Sequence, residues 1–157
     1  MDLTKKFFDQ AFNDAFEAVR NNIGGPFGAV IVKDGRIIGR GVNQVTSQND
    51  PTAHAEVMAI RDACRQIDHY DLDGAVIYTT CEPCPMCLSA IYWANIQTVY
   101  YCSSRRDAEA IGFRDNRIYE ELNLPPDLRS VRFQKLENPR AESLFRSWVN
   151  KSDKTPY

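Results

Sequence analysis

The sequence lacks long apolar runs, a dominant charge and any repeat. None of its 157 residues fall in an apolar stretch of about 18, so we expect no transmembrane helix. Lysine plus arginine number 19 and aspartate plus glutamate 21, for a formal net charge of −2. That balance argues against a strongly basic nucleic-acid binder and against intrinsic disorder. With no low-complexity segment or Ser/Gly-rich linker, the length predicts a single domain over residues 1–157.

The N-terminal segment also lacks an export signal. Lys5 and Lys6 lead into an amphipathic stretch with Asp9, Asp14 and Glu17, and no apolar signal core or cleavage site follows. We therefore expect a cytoplasmic protein, in which thiols stay reduced.

Cysteine is present in an odd number, and three of the five cysteines lie close together. The five are Cys64, Cys81, Cys84, Cys87 and Cys102. A clustered, odd set in a reducing compartment indicates metal ligands or catalytic thiols rather than disulfides. We expect the other three, Cys64, Cys81 and Cys102, to be thiols packed in the core.

Hydrophobic periodicity predicts an alternation of helices and strands. A stripe with a period of about 3.6 predicts a first helix from Phe7 to Val19. Further helices are expected at 51–67, 85–94, 107–111, 116–122 and 141–150. Strands are expected at 28–32, 36–39, 75–80, 98–101 and 131–136. The pair Asp34-Gly35 predicts a hairpin turn, and Asp50 is the expected N-cap of the second helix. This order predicts an α/β fold, a three-layer α/β/α sandwich with a mixed central sheet.

Two short motifs each open a predicted helix, His54-Ala55-Glu56 and Pro83-Cys84-Pro85-Met86-Cys87. Cys84 and Cys87 are three positions apart and share a helix face, and the first turn of a helix stabilises thiolates. His54 leans toward its helix N-terminus, because Cα–Cβ bonds tilt that way. Thiolate and imidazole are preferred ligands of Zn²⁺, so His54, Cys84 and Cys87 predict a zinc site.

Glu56 has a separate predicted role beside this site. Zn²⁺ with two thiolates and a neutral imidazole carries no net charge, yet it acidifies water when a nearby base takes the proton. A carboxylate held close without coordinating is suited to be that base. Three protein ligands with one open position are typical of a catalytic zinc site.

Other interpretations of the cysteines remain open at this point. A structural zinc site would need a fourth ligand, and Cys81 has suitable spacing. A Cys-x-x-Cys pair is also compatible with redox chemistry or with packing. The second histidine, His69, lies in a polar stretch and is expected on the surface.

Several stretches resemble bacterial guanine deaminases of the zinc-dependent cytidine/deoxycytidylate deaminase superfamily, whose signature is H-x-E…P-C-x-x-C. The matching stretches are Gly24–Val32, Asn49–Glu56, Tyr78–Cys87, Ala90–Ala94, and Gly112–Asp115 with Ile118-Tyr119. The resemblance implies a cytidine deaminase-like fold, one Zn²⁺ per chain and hydrolytic deamination of guanine to xanthine and ammonia.

The resemblance also implies residue roles. His54, Cys84 and Cys87 would bind zinc, and Glu56 would shuttle protons. Asp115 would recognise guanine and assist proton transfer. The residues implied in substrate binding are Phe27, Asn43, His54, Asp115 and Tyr157. A carboxylate is an acceptor-only group, so Asp115 suits the adjacent N1–H and amino donors of guanine.

The implied partner is a second copy of the chain, not a nucleic acid or a membrane. In such bacterial enzymes the dimer can exchange C-terminal segments, here about residues 131–157, so the tail with Tyr157 would cover the partner's site. A tRNA adenosine deaminase is the nearest alternative, because it shares the segment Thr52–Glu56 and Pro-Cys-x-x-Cys. The net charge of −2 and the Gly-Phe-x-Asp stretch argue against it. Another nucleoside or base deaminase, or a non-catalytic zinc-binding module, are further alternatives.

Overall fold

The structure is a computed structural model that describes residues 3–157. The helices are α1 (Leu3–Arg20), α2 (Val45–Gln48), α3 (Ala55–Ile67), α4 (Pro85–Trp93), α5 (Arg105–Ala110), α6 (Asn116–Leu122) and α7 (Pro139–Asn150). The strands are β1 (Gly28–Lys33), β2 (Arg36–Val42), β3 (Val76–Cys81) and β4 (Thr98–Ser103). The chain divides into two compact units, one ending at Glu120 and the other comprising Glu121–Tyr157.

The sheet of the first unit has the strand order β2-β1-β3-β4. The pairs β1–β2 and β1–β3 are antiparallel, while β3–β4 is parallel, so the sheet is mixed as predicted. The hairpin between β1 and β2 turns at Asp34 and Gly35, whose φ angles are 50° and 72°. Positive φ at both central positions confirms the turn expected from the Asp-Gly pair.

The two faces of β1 pack against different helices. Val30 and Val32 belong to a core cluster with Phe7 and Ala11 of α1. The alternate residues Ala29 and Ile31 lie in a second cluster on the opposite face of the sheet. Its helical members are Ala55, Ala59 and Ala63 of α3 and Ile91 of α4. The fold is therefore the predicted α/β/α arrangement.

Helix α3 lies directly on the backbone of β2. A Cβ atom built on Gly41 would stand 2.2 Å from the Ala55 carbonyl oxygen, and one on Gly39 would stand 2.5 Å from that of Ala59. Only glycine permits an approach this close. The start of α3 is thereby fixed against the sheet by main chain, without intervening side chains.

The helix predicted at 51–67 is α3, and it starts later than predicted, at Ala55. The predicted N-cap at Asp50 is therefore wrong. The Asp50 carboxylate accepts hydrogen bonds from the Thr52 amide at 2.8 Å and from the Thr52 hydroxyl at 2.7 Å. Asp50 therefore closes a local turn rather than capping a helix. The N-cap residue of α3 is His54, and the predicted loop before it contains the single-turn helix α2.

The strand predicted at 131–136 is also wrong. Among the described residues this segment has no β partner, and its apolar side chains Val131, Phe133 and Leu136 are exposed. Alternation alone does not make a strand, because the backbone groups need a neighbouring strand to pair with. The predicted C-terminal helix is present as α7, where Leu144, Phe145, Trp148 and Val149 are exposed.

The cysteines outside the predicted metal site differ in burial. Cys81 is buried, as predicted, and Cys64 packs partly buried against the core. The expectation for Cys102 is wrong: it is exposed, because β4 is the edge strand and most of its residues lie outside the core. His69 is exposed, as expected. Among residues 3–157, none of the helices combines the length and the apolar composition that a membrane-spanning segment requires.

Candidate metal centre and active site

The first unit contains a cavity of about 700 Å³ at the start of α3 and α4. Its walls include six of the residues that the sequence singled out: Phe27, Asn43, His54, Glu56, Cys84 and Asp115. A cavity of this size is typical of a small-molecule site. Residues separated by almost ninety positions in the sequence thus meet at one place.

Two of the predicted metal ligands occupy equivalent positions at helix starts. His54 is the N-cap residue of α3 and Cys84 that of α4, and both have extended backbone angles. Neither side chain makes a capping hydrogen bond to its own helix. Pro85 fills the first helical position of α4, where its missing N–H costs nothing. Both side chains are therefore free to point away from their helices.

The three predicted ligand atoms converge. The Nδ1 atom of His54 lies 3.6 Å from the Sγ atom of Cys84 and 3.5 Å from that of Cys87. Tetrahedral zinc with ordinary Zn–S and Zn–N bond lengths places nitrogen and sulfur about 3.6 Å apart. Within residues 3–157 these three form the only group of three or more His, Cys, Asp or Glu ligands that meets this clustering. Their spacing and donor chemistry fit zinc.

The pKa values of the two thiols in this cluster are shifted in opposite directions. Interactions with Cys87 and with His54 lower the pKa of Cys84 to about 4. The interaction with Cys84 raises the pKa of Cys87, and Cys84 also raises the pKa of His54. These interactions favour the thiolate form of Cys84, which is the form in which cysteine binds metal ions.

Glu56 lies in the first turn of α3 and is almost completely buried, with 6% of its surface exposed. Its Oε1 atom accepts a hydrogen bond of 3.3 Å from the hydroxyl of Thr79 on β3. Burial raises the pKa of the Glu56 carboxyl above its ordinary value. A carboxyl group with a raised pKa beside a metal site is suited to accept a proton and to return it.

Asn43 is held in the cavity wall by its own side-chain oxygen. Its Oδ1 atom accepts hydrogen bonds of 3.2 Å from the amides of both Gly25 and Val45. Beside it, Phe27 packs edge-to-face against Phe113, with ring centroids 4.7 Å apart. The oxygen of Asn43 is thus committed to the main chain, while Phe27 and Phe113 give the cavity an aromatic wall.

Asp115 immediately precedes α6 and supplies an acidic group to the cavity. Its Oδ1 atom is buried and has no hydrogen-bond partner among the described residues. Burial also raises the pKa of this carboxyl. A buried acceptor without a partner costs free energy, so this oxygen is suited to a ligand that donates a hydrogen bond.

Three contacts connect α6, through Tyr119 and Arg105, to the loop that carries the cysteines. The hydroxyl of Tyr119 donates to the Pro83 carbonyl at 3.0 Å, and the Arg105 guanidinium lies 4.6 Å from the centre of the Tyr119 ring. The Arg105 amide in turn donates to Glu82 at 3.0 Å. These contacts hold the segment bearing Asp115 near the metal ligands.

Two sequence predictions have different outcomes at this site. The Cys81 sulfur lies within 3.7 Å of the Ser104 carbonyl oxygen, and Cys81 is not part of the ligand cluster found within residues 3–157. The structure thus favours three protein ligands over the four-ligand alternative.

Tyr157 belongs to the second unit and is 84% exposed, so its role at a site remains a prediction.

Sequence reasoning missed three residues around the cavity: Thr79, Phe113 and Tyr119. Thr79 had a detectable signal, because a hydroxyl in an otherwise apolar central strand needs a buried partner. Phe113 and Tyr119 lie within matched stretches, but nothing local indicates that they contact Phe27 and Pro83.

Comparisons with known proteins agree with this geometry. Residues 1–103 match the family described as the cytidine and deoxycytidylate deaminase zinc-binding region. A guanine deaminase of Bacillus subtilis is 50% identical over 151 residues, covering 96% of this chain and 97% of the relative. The X-ray structure of guanine deaminase from Bacillus subtilis superposes with a TM-score of 0.94 at 49% identity, covering 98% of each chain.

A second kind of relative matches a smaller part of the chain. A tRNA-specific adenosine deaminase of Agrobacterium fabrum is 50% identical over 76 residues, which is 48% of this chain and 50% of that protein. Both kinds of relative are deaminases, and the family match includes the segments that carry all three predicted ligands. The chain therefore belongs to the cytidine and deoxycytidylate deaminase family of zinc-binding enzymes.

Proposed function

We propose that this enzyme hydrolyses guanine to xanthine and ammonia. The observation that carries the proposal is the buried, unpartnered oxygen of Asp115 in the cavity that also contains the ligand cluster. Guanine presents N1–H and the amino group as adjacent donors, and a carboxylate accepts from such an edge. Near-full-length similarity to a guanine deaminase supports the same substrate.

His54, Cys84 and Cys87 would hold the zinc ion, because their donor atoms already have the required spacing. When bound, zinc supplies the Lewis acidity that lowers the pKa of water toward neutrality. The buried position of both sulfurs keeps bulk water away from this part of the cavity.

Glu56 would move the protons. Water attacks C2 of guanine, and the Glu56 carboxylate accepts the proton that the water loses. The same carboxyl group then protonates the ring and the departing amino group, so guanine and water yield xanthine and ammonia. The burial of Glu56 and the raised pKa of its carboxyl group support both steps, the removal of the proton from water and its return to the substrate. Backbone N–H groups in the first turn of α4 would help to stabilise negative charge that develops on the substrate.

Asn43 and Phe27 would orient the base. Because the oxygen of Asn43 already accepts two main-chain hydrogen bonds, its amide NH₂ is the group left to donate to a guanine acceptor. The ring of Phe27 lies in the same cavity and is braced by Phe113, which supports stacking on the flat base.

The direct test is ammonia release from guanine, guanosine, adenine, cytosine, cytidine and a tRNA anticodon stem. We expect guanine to be turned over fastest. Release from the anticodon stem and not from guanine would establish the tRNA adenosine deaminase alternative instead. The partial coverage of the tRNA-specific relative and the net charge of −2 argue against that outcome.

Asp115→Asn is expected to lower kcat/KM for guanine by about 10²-fold to 10³-fold. The amide keeps one acceptor oxygen, but its NH₂ group would face the second guanine donor, which the carboxylate accepts. Steady-state ammonia release measures the effect. Asp34→Asn, at the hairpin turn where asparagine also tolerates positive φ, is the matched control and should keep wild-type kinetics. Wild-type kinetics in Asp115→Asn would contradict the recognition role.

We propose that the protein acts in the cytoplasm as a homodimer that exchanges the segment 131–157, with Tyr157 closing the partner's site. The free thiols of the metal cluster suit a reducing compartment. The apolar side chains of α7, including Leu144, Phe145 and Trp148, are exposed and would be buried by a second copy.

Light scattering after gel filtration tests the dimer. We expect about twice the monomer mass of 17.9 kDa for the wild type and monomers for the double change Leu144→Ser, Phe145→Ser. Arg146→Gln, on the same helix, is the control and should remain dimeric. A wild-type monomer at micromolar concentration would contradict the dimer.

A further inference from the structure

We propose that Thr79 is a positioning residue for Glu56, whose hydroxyl holds one carboxylate oxygen so that the other faces the substrate. The hydroxyl donates to the Oε1 atom of Glu56 at 3.3 Å across a buried contact between β3 and α3. This inference rests on the proposed function, because it assigns the substrate-facing oxygen of the proton-transferring residue.

The surroundings of Thr79 are apolar. The residue is completely buried in β3, between Ala29 on β1 and Tyr101 on β4 in the strand register. On its strand it shares a face with Ile77, a member of the core cluster that contains Ala55 and Ile91. A valine has nearly the same shape and would suit this position in a central strand without burying a hydroxyl.

The hydroxyl of Thr79 therefore has a specific partner rather than a packing role. Burying a hydroxyl is unfavourable unless it is hydrogen-bonded, and Glu56 supplies the acceptor. The neighbouring Thr80 faces the other way and instead accepts a hydrogen bond of 3.1 Å from the Gly28 amide. Thr79 thus contacts the proton-transferring residue, whereas Thr80 contacts the main chain, so Thr80 serves as an internal control.

The hydrogen bond limits how the carboxylate of Glu56 can rotate. A glutamate has three side-chain torsions, and its last torsion is broad and weakly restricted. The hydrogen bond to Oε1 restricts this torsion, and we assign Oε2 to the water and the base. Catalysis depends steeply on such placement, because a displacement of about 1 Å can cost 10²-fold in rate.

The kinetic test compares Thr79→Val, Thr79→Ser and Thr80→Val in the zinc-loaded enzyme. We expect Thr79→Val to lower kcat for guanine by about tenfold to a hundredfold with KM and zinc content unchanged. Thr79→Ser keeps the hydroxyl and should stay within about threefold of wild type. Thr80→Val should lower thermal stability and leave kcat nearly intact. A kcat within twofold of wild type for Thr79→Val overturns the proposal.

A second measurement does not depend on turnover. In a double-mutant cycle, Thr79→Val is introduced both into the wild type and into Glu56→Ala, where the acceptor is gone. We expect Thr79→Val to lower the unfolding temperature by at least about 2 °C more in the wild type than in Glu56→Ala. Equal shifts in the two backgrounds show that the pair is not coupled and overturn the proposal. A wild type inactive on guanine, with coupling present, contradicts only the proposed function.

Discussion

Glu56→Gln is expected to lower kcat for guanine by roughly 10³-fold while the protein keeps one zinc ion per chain. Glutamine is close in shape to glutamate and can still accept the hydrogen bond from Thr79, so the fold around it should persist. It cannot take a proton from water, which removes general acid–base catalysis. Steady-state ammonia release gives kcat, and atomic spectroscopy of the dialysed protein gives the zinc content.

Glu109→Gln is the matched control for this change, because Glu109 is exposed on α5 and lies outside the cavity wall. It should keep wild-type kcat and zinc content. If Glu56→Gln retained more than about a tenth of the wild-type kcat, Glu56 would have no essential part in proton transfer. Loss of zinc in Glu56→Gln would instead make Glu56 a ligand or a support for the ligands.

Cys84→Ser is expected to abolish both metal binding and turnover. The sulfur of Cys84 is one of three converging donor atoms, and a serine hydroxyl is a far weaker zinc ligand than a thiolate. We expect less than a tenth of the wild-type zinc after dialysis against a chelator, and at least a 10³-fold loss of kcat/KM. The unfolding temperature should fall by several degrees, because a metal that binds only the native state stabilises it.

Cys81→Ala is the control, since Cys81 is a buried cysteine three residues away whose sulfur lies near the Ser104 carbonyl. It should retain full zinc. Loss of zinc in Cys81→Ala to the same degree as in Cys84→Ser would establish the four-ligand structural site and contradict the catalytic zinc site.

The sequence predicted the first unit well where local patterns and packing agree. The hairpin at Asp34-Gly35 depends only on backbone preference, and β3 on a short apolar run, so both were recognised. The segment 131–136 was predicted as a strand from its apolar residues, but among the described residues it has no neighbouring strand. The sequence pattern of one segment does not show whether the folded chain supplies a partner strand. Asp50 was misassigned because the same side chain that caps helices also closes turns.

The metal ligands were predictable because each is tied to a local signal at a helix start. The wider site was predictable only through a family resemblance: Asn43 and Asp115 are ordinary polar residues until the fold brings them to one cavity. Thr79 is the opposite case. Its partner Glu56 is 23 positions away, and only the packing of α3 on the sheet makes them neighbours.

The main-chain contact between Gly41 and Ala55 leaves no side chain that could rotate aside and let the start of α3 detach. Gly41 itself pairs with Ala29 of the buried strand β1, so the start of α3 rests on backbone that is held within the sheet. We therefore expect the amide of Met58, which donates to the His54 carbonyl at 2.9 Å, to exchange slowly with deuterated solvent. On heating, we expect the ligand geometry and the fold of the first unit to be lost in one transition.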